Sequence, residues 1–451
     1  MPSCITHARI KFMNITPFHQ RRLSLLEHMQ AGVAVIPTAP EHLRNRDTSF
    51  PYRADSYFHY LTGFPEPEAV LVLVAGSQPQ SILFCRDKDI DKEIWDGFRY
   101  GPDAARETFG CDAAFSIKEF DSKLAELLAD QPALWFSIGH DAGWDARIAA
   151  ALNTVRAQTR AGKTAPAVIH DVRARLDEMR LVKDEYEIAL MQKAATIACT
   201  AHRRAMRFTA AGKFEYEVEA EFLHEFRRHG SQYPAYSPIV AGGANACILH
   251  YVENNQPLKA GELLLIDAGC EIDGYASDIT RTFPVSGRFS GPQADVYQMV
   301  LAAQAAAIAA IRPGATFLDP HTAAVRVLAQ GMLDLKLLDG NLDGVIEMEA
   351  YKRFYMHRTG HWLGMDVHDA GTYRSGPSDN DWRVLAPGML LTVEPGCYIR
   401  PADDVPEAFW NIGVRIEDDA LVTQSGCEII TAAAPKTIAD IEALMRDAIH
   451  A

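Results

Sequence analysis

The stretch that most constrains this chain is Leu263–Phe283, L-L-L-I-D-A-G-C-E-I-D-G-Y-A-S-D-I-T-R-T-F. Leu263–Ile266 is an apolar run that ends on Asp267, and a second β-prone run, Ile279–Val285, starts just after Asp278. Between them stands Asp273-Gly274, a pair suited to the type I′ turn, which needs φ > 0 at both central residues. With those residues as the turn, Gly269 faces Asp278 and Asp267 faces Thr280. Asp267 and Asp278 then become diagonal cross-strand neighbours on one face, with Cβ atoms roughly 7–8 Å apart or a little less. Two carboxylates at that spacing can close on one hard cation at about 2.1 Å. Without a cation they repel. A polar hairpin face in water is the other reading of these residues, and the rest of the chain must decide.

The chain is long for one core. At 451 residues, with a soft prior of roughly 150 per domain, more than one domain is expected. Early apolar runs at Val33–Ile36, Ala69–Val74, Ile82–Cys85 and Leu134–Ile138 read as strands. Helix-like stretches at Gln20–Gln30, Ser122–Leu128 and Trp144–Val155 accompany them, an α/β pattern. The polar, aromatic segment Asn45–Tyr60, interrupted by Pro51, reads as a loop. The pattern breaks at Arg156–Pro166. From Asp184 the character changes: Asp184 and Glu187 have capping-box spacing ahead of a long helical run, Ile188–Phe208. Gly212 ends that run, Phe214–His229 reads as another helix, and Pro234–Ile239 begins the strands of this half. The boundary is placed near residue 175, giving domains 1–175 and 176–451.

An internal echo links two distant stretches. Ala260–Gly269, A-G-E-L-L-L-I-D-A-G, is answered by Pro387–Gly396, P-G-M-L-L-T-V-E-P-G. Each leads from a Gly turn through an apolar strand to a carboxylate, and each is followed by a second acid-bearing strand, Ser277–Val285 or Gly413–Val422. A duplicated hairpin would set two pairs of acids face to face. The candidate ligands are then Asp267, Asp278, His361, Glu394 and Glu417. Arg415 shares a strand face with Glu417, two residues on. Gly360 and Gly364 around His361 argue for a tight backbone segment rather than a helix. Four carboxylates and one imidazole suit hard, oxygen-preferring cations such as Mn²⁺, Mg²⁺ or Co²⁺. Four negative charges balance two divalent ions, and two metals about 3.5–4 Å apart can hold a hydroxide and deliver it to a carbonyl.

These motifs carry a resemblance. C-I-L-H-Y, the Leu265–Val285 segment, G-H-W-L-G-M-D-V-H-D, T-V-E-P-G-C-Y-I and I-G-V-R-I-E-D-D resemble those of the aminopeptidase P family, the Xaa-Pro aminopeptidases of the pita-bread metallopeptidase group. P-Y-R-A-D-S-Y-F-H-Y-L-T-G-F-P-E-P-E-A-V-L-V-L after Phe50, and E-I-W-D-G-F-R-Y-G, are similar to the N-terminal domain of that family. The resemblance covers nearly the whole chain. It implies an α/β N-terminal domain and an α+β pita-bread catalytic domain with a pseudo-twofold internal repeat. It also implies two divalent ions, with Mn²⁺ expected, on Asp267, Asp278, His361, Glu394 and Glu417. Asp278 and Glu417 would bridge, and Glu394 would also carry a proton to the leaving nitrogen. His250, His357 and His368 would surround the scissile bond and the proline pocket, while Tyr398 and Arg415 would hydrogen-bond beside the bridging carboxylate. The implied substrates are peptides with proline second. A homo-oligomer is implied too, with Trp95 reaching toward a neighbouring subunit's site.

One departure is visible: Arg358 and Thr359 stand where related enzymes carry Gly and a small apolar residue, which bears on the primed-side pocket. Prolidase, which cleaves Xaa-Pro dipeptides, and a metal-free binding protein on the same fold are the alternatives. Retention of all the ligands speaks against the second. A formal charge of −15 argues against nucleic acid or an anionic membrane as the main partner. The eight Cys form no C-x-x-C pair, so no zinc knuckle or disulfide framework is indicated. No apolar h-region occupies the first thirty residues and no run approaches the ~20 apolar residues of a membrane span. The expectation is a cytoplasmic protein.

Overall fold

The apolar runs of the first third pair into one mixed sheet. The structure, a computed structural model, describes residues 16–378 and 381–449, so that part of the h-region expectation resting on residues 1–15 lies outside it. The chain divides into two compact units, Met1–Leu176 and Asp177–Ala451. In the first, β1 (Gly32–Pro37) pairs antiparallel with β2 (Val70–Ala75), which pairs antiparallel with β3 (Gln80–Cys85). β4 (Ala113–Ser116) runs parallel to β3 at one edge. On the other side β5 (Ala133–Trp135) is parallel to β1 and β6 (Val168–His170) is parallel to β5. The order is β4-β3-β2-β1-β5-β6. Alternate residues Val33, Val35, Val70, Val72, Ile82 and Phe84 pack on Phe120, Leu124, Leu128, Ile148 and Leu152 of the helices Phe120–Leu128 and Ala142–Arg156.

One expectation fails here. Asn45–Tyr60 is not loop throughout, because Ser56–Thr62 is a helix. The Asp55 side chain accepts from Phe58 N at its start, and Gly63 closes it at φ 64°. Pro51 lies before the helix and does not interrupt it. The edge strands β4 and β6 also went unread, since each is short and no part of either is fully buried.

The second unit opens with the helix Glu185–Phe208, and its capping box is formed by Asp184 and Glu187 as read from the sequence. The helix Glu215–Arg228 follows. β7 (Ile239–Gly242), β8 (Leu263–Asp267), β9 (Glu271–Ile272), β10 (Tyr275–Ala276) and β11 (Thr280–Pro284) complete the first half. The turn at Asp273 and Gly274 has φ 48° and 84°, both positive as the I′ turn requires. Asp267 faces Thr280 and Ile272 faces Tyr275, so one register runs the length of the hairpin. At Gly269 the strands pinch: a Cβ there would sit 1.6 Å from Ser277 O. Only glycine fits opposite Asp278.

Two further helices, Gly291–Ala310 and Asp319–Asp334, precede the second half. There β12 (Leu390–Val393), β13 (Gly396–Ile399), β14 (Ile412–Arg415), β15 (Asp418–Val422) and β16 (Cys427–Ile429) repeat the plan. β12 pairs with β15 and β13 with β14, again antiparallel. Val393↔Asp418 and Gly396↔Arg415 belong to one register, which sets Glu394 opposite Glu417. The second acid-bearing segment is thus two strands broken at Ile416–Glu417, not the single strand Gly413–Val422 expected. Backbone groups freed at the break need partners. Buried Gln304 donates to Val393 O (3.3 Å) and Ile416 O (3.2 Å), and buried Arg281 donates to Thr280 O (2.9 Å) and Glu417 O (2.5 Å). The pseudo-twofold repeat is therefore a pair of interrupted hairpins, each stopped where its carboxylates emerge.

Candidate metal centre and catalytic cavity

Both hairpin interruptions open into one cavity of about 470 Å³, lined among others by Asp267, Asp278, His361, Glu394 and Glu417. His250, His357, His368 and Arg415 line it as well, while Tyr398 stands behind His357. Donor atoms of Asp278, His361 and Glu417 all lie within 4.8 Å of one another. The four acids and the imidazole read from the sequence are thus brought to one place by the two registers and by the loop at His361.

That loop is tightly built. A Cβ on Gly360 would lie 2.0 Å from Thr392 O, and one on Gly364 would lie 2.0 Å from Asp369 Oδ2. The backbone runs against β12 on one side and around the Asp369 carboxylate on the other. Asp369, fully buried, accepts from Arg180 Nη2 (2.6 Å) and Lys183 Nζ (3.0 Å). Burial alone would raise its pKa, but the two cations hold it below the ordinary range. His361 Nδ1 donates to Trp362 O at 2.9 Å, which turns Nε2 toward Asp278 Oδ2 (3.4 Å) and Glu394 Oε1 (3.8 Å). A ligating histidine is oriented in this way, its second nitrogen held by a carbonyl.

The electrostatics fit cations. Burial, then the neighbouring Asp267 charge, pushes the Asp278 carboxyl up. Burial and the charges of Asp278 and Glu394 push Glu417 well above the carboxylate range. Glu394 is raised to about 7, chiefly by burial. Burial disfavours charge on His361, yet its hydrogen bond to Asp278 and the charge of Glu394 lift it to about 9. Every one of these groups is drawn toward extra positive charge, which is what divalent ions supply to an oxygen-rich donor set. Arg415 reaches in among the acids: Nη2 donates to Asp267 Oδ2 (2.7 Å), Nε to Thr280 Oγ1 (3.0 Å) and Nη1 to Tyr398 Oη (3.1 Å). Thr280 Oγ1 in turn donates to Glu417 Oε2 at 2.6 Å.

The histidines differ in how they are held. His357 donates through Nδ1 to Arg358 O (2.7 Å) and accepts at Nε2 from Tyr398 Oη (2.8 Å). Burial, with Arg415 nearby, lowers it to about 4, so it stays neutral. His368 packs edge-on against His361, ring centroids 4.2 Å apart. His250 is exposed to the cavity.

Sequence reasoning missed Tyr236. Its hydroxyl lies 2.5 Å from both Asp267 Oδ1 and Asp278 Oδ1. One proton serves two carboxylates, so the phenol ties the two acids together. Burial and those acids raise its own pKa well above the usual value. Only the turn-derived register, followed by a search for a donor able to span both acids, could have pointed to it.

Comparison with known proteins agrees with this geometry. The model described as metallopeptidase family M24 matches residues 189–424, and that of the aminopeptidase P N-terminal domain matches residues 18–135. The chain is 46% identical to the Xaa-Pro aminopeptidase of Escherichia coli, over 95% of this chain and 97% of that one. It is 37% identical to Xaa-Pro aminopeptidase 3 of Homo sapiens, over 92% and 81%. Among solved structures it matches an aminopeptidase of Pseudomonas aeruginosa with TM-score 0.95 and 47% identity, covering 97% of this chain and 99% of that one. An alanine variant of E. coli aminopeptidase P in complex with substrate matches at TM-score 0.94 and 44% identity, covering 97% and 100%.

Proposed function

Because the chain belongs to metallopeptidase family M24 and carries an aminopeptidase P N-terminal domain, we infer that it is an Xaa-Pro aminopeptidase, a hydrolase that removes the residue preceding an N-terminal-proximal proline. The observation that carries this reading is the meeting of Asp278, His361 and Glu417 donors within 4.8 Å, at the mouth of two register-matched hairpins. Asp267, Asp278, His361, Glu394 and Glu417 would hold two divalent ions, and the oxygen-rich set favours Mn²⁺. Such a pair supplies hydroxide at neutral pH and a Lewis acid for the scissile carbonyl. Glu394 takes the proton of the attacking water and gives it to the proline nitrogen. That nitrogen belongs to a tertiary amide without an N–H, so orientation falls to groups that grip the carbonyl and ring. His250 and His368, both on the cavity wall, are suited to this, with His357 steadied by Tyr398 beside Glu394. Exhaustive chelation is expected to abolish hydrolysis of an Xaa-Pro-Yaa peptide, and Mn²⁺ to restore it better than Zn²⁺. Full turnover by protein shown metal-free by elemental analysis would overturn the reading.

Arg358 bears on the dipeptide alternative. It lines the cavity, and its guanidinium lies over the Trp382 ring at 4.8 Å, with Arg374 over the same ring at 4.0 Å. A prolidase must pair the proline carboxylate with a dedicated cation. The indole holds Arg358 in a structural stack instead. Xaa-Pro-Yaa is therefore expected to exceed Xaa-Pro in kcat/KM, and Arg358→Gly to change that ratio less than ~10-fold, or ~1.4 kcal/mol. A better dipeptide substrate whose preference Arg358→Gly reverses would make the chain a prolidase.

Assembly and location complete the reading. The helix Ile90–Asp96 shows Ile94 and Trp95 at 75% and 87% exposure, with Ile90 and Phe98 exposed beside them. An apolar patch of that kind suits subunit contact, and a homo-oligomer with Trp95 at the interface is expected by light scattering. A fully active monomer would remove that role. No helix among the described residues is long and apolar enough to cross a membrane. The free thiols of the described cysteines suit a reducing, cytoplasmic setting.

A further inference from the structure

We propose that Glu215, outside the cavity, is a positioning residue for His250. Glu215 is the first residue of the helix Glu215–Arg228 and is wholly buried, without an ion-pair partner among the described residues. Its carboxylate is saturated by four donors instead. Oε1 accepts from Gly242 N (2.8 Å) and Asn245 Nδ2 (3.0 Å). Oε2 accepts from Tyr251 Oη (2.7 Å) and Gln256 N (2.9 Å). Those donors are spread over one segment, from the end of β7 through residue 256, and His250 lies inside it, next to Tyr251.

The segment has a second wall. Gly413 of β14 lies against Ala246, where a Cβ would come within 2.5 Å of Ala246 O, and Arg400 Nη2 donates to Cys247 O at 2.7 Å. Residues 242–251 are thereby clamped between the Glu215 carboxylate and β14. Leu249, His250 and Val252 are the parts that reach the cavity. Among the described residues no side chain or backbone group hydrogen-bonds the His250 ring, so its place is set by the backbone of the clamped segment. A buried carboxylate with four donors can be replaced by no neutral group of the same shape without leaving donors unmet. In Glu215→Gln the amide oxygen can still take two of them, but the NH₂ faces the other two as a third donor.

The inference rests on the reading of His250 as part of the hydrolytic site. A double-mutant cycle on the intact, Mn²⁺-loaded protein separates the two. Glu215→Gln is expected to lower kcat/KM for Xaa-Pro-Yaa by about 10–100-fold, the size of effect a misplaced group produces. Mn²⁺ stoichiometry should remain that of the wild type, since none of the four donors touches the acids, and the split between kcat and KM should copy that of His250→Ala. In the His250→Ala background the same substitution is expected to cost less than ~3-fold, because residues acting as a unit are non-additive. Tyr251→Phe, which removes one donor only, serves as the milder variant if Glu215→Gln fails to fold, and should show a smaller loss with the same dependence on His250. If His250→Ala is crippled but the Glu215→Gln or Tyr251→Phe losses persist in full beside it, the positioning role is wrong and the catalytic reading stands. If His250→Ala retains wild-type turnover, both fall.

Discussion

Asp278→Asn is expected to lose bound metal and to lower kcat/KM at least ~10³-fold, a loss of ~4 kcal/mol in transition-state stabilisation. Asp278 stands where the donor atoms converge, 3.4 Å from His361 Nε2 and within 4.8 Å of the Glu417 donor. Asparagine keeps the shape, and its oxygen can still accept from Tyr236, so the change is one of charge. The same substitution should have the opposite effect on the cation-free fold. Four carboxylates share this cavity, Arg415 is paired with Asp267 rather than with Asp278, and removing one buried anion relieves repulsion. In EDTA the variant should therefore melt above the wild type, whereas added Mn²⁺ should raise the wild type and leave the variant unmoved. Elemental analysis and melting curves with and without Mn²⁺ read both effects. A variant with full metal and wild-type turnover removes Asp278 from the site. One that melts lower in EDTA shows that the acids are not held against their repulsion.

The hairpin at Asp273-Gly274 shows what local chemistry alone can fix. A two-residue turn with both φ values positive leaves one register, and that register carries Asp267 to Thr280. The echo between Ala260–Gly269 and Pro387–Gly396 carried the same logic to the second half, where Glu394 and Glu417 meet without a tight turn between them. His361 was legible for another reason. Its flanking glycines argue for a tight segment rather than a helix, and in the structure the loop does run against β12, where a Cβ at Gly360 would strike Thr392 O.

What stayed hidden depends on contacts distant in sequence. Tyr236 reaches Asp278 across 42 positions, and a lone tyrosine between two prolines carries no period or motif. Glu215 is one of several acids in the stretch read as the helix Phe214–His229, and nothing in that stretch marks its reach to Gln256. The break at Ile416–Glu417 could not be read, because V-R-I-E alternates as a strand would and A-L-V resumes a strand-prone run just beyond Asp418 and Asp419. Gln304 and Arg281, which satisfy the backbone groups the break exposes, lie on other elements. The helix Ser56–Thr62 was within reach: Asp55 as N-cap and Gly63 as left-handed C-cap were both in the sequence, but nearby Pro51 and the aromatic run outweighed them.

Glu394→Gln is expected to separate proton transfer from metal binding, lowering kcat by ~10²–10⁴-fold, the range of general acid–base catalysis. Glu394 sits opposite Glu417, with Oε1 3.8 Å from His361 Nε2 and Oε2 3.8 Å from His357 Nδ1. In the cation-free cavity burial raises its pKa to about 7 against the pull of His361 and Arg415, and its carboxylate on the cavity wall is the group placed to take and return the proton. The departing proline nitrogen has no proton of its own, and neutral His357, with both ring nitrogens already engaged, has none free to give it. Glutamine offers an oxygen in the same place but cannot move a proton. Metal content should therefore stay closer to the wild type than in Asp278→Asn, and KM should change much less than kcat. The comparison of the two variants is the test. If Glu394→Gln loses its metal as completely as Asp278→Asn, the carboxylate is a ligand before anything else. If it keeps both metal and wild-type kcat, the proton must travel by another group.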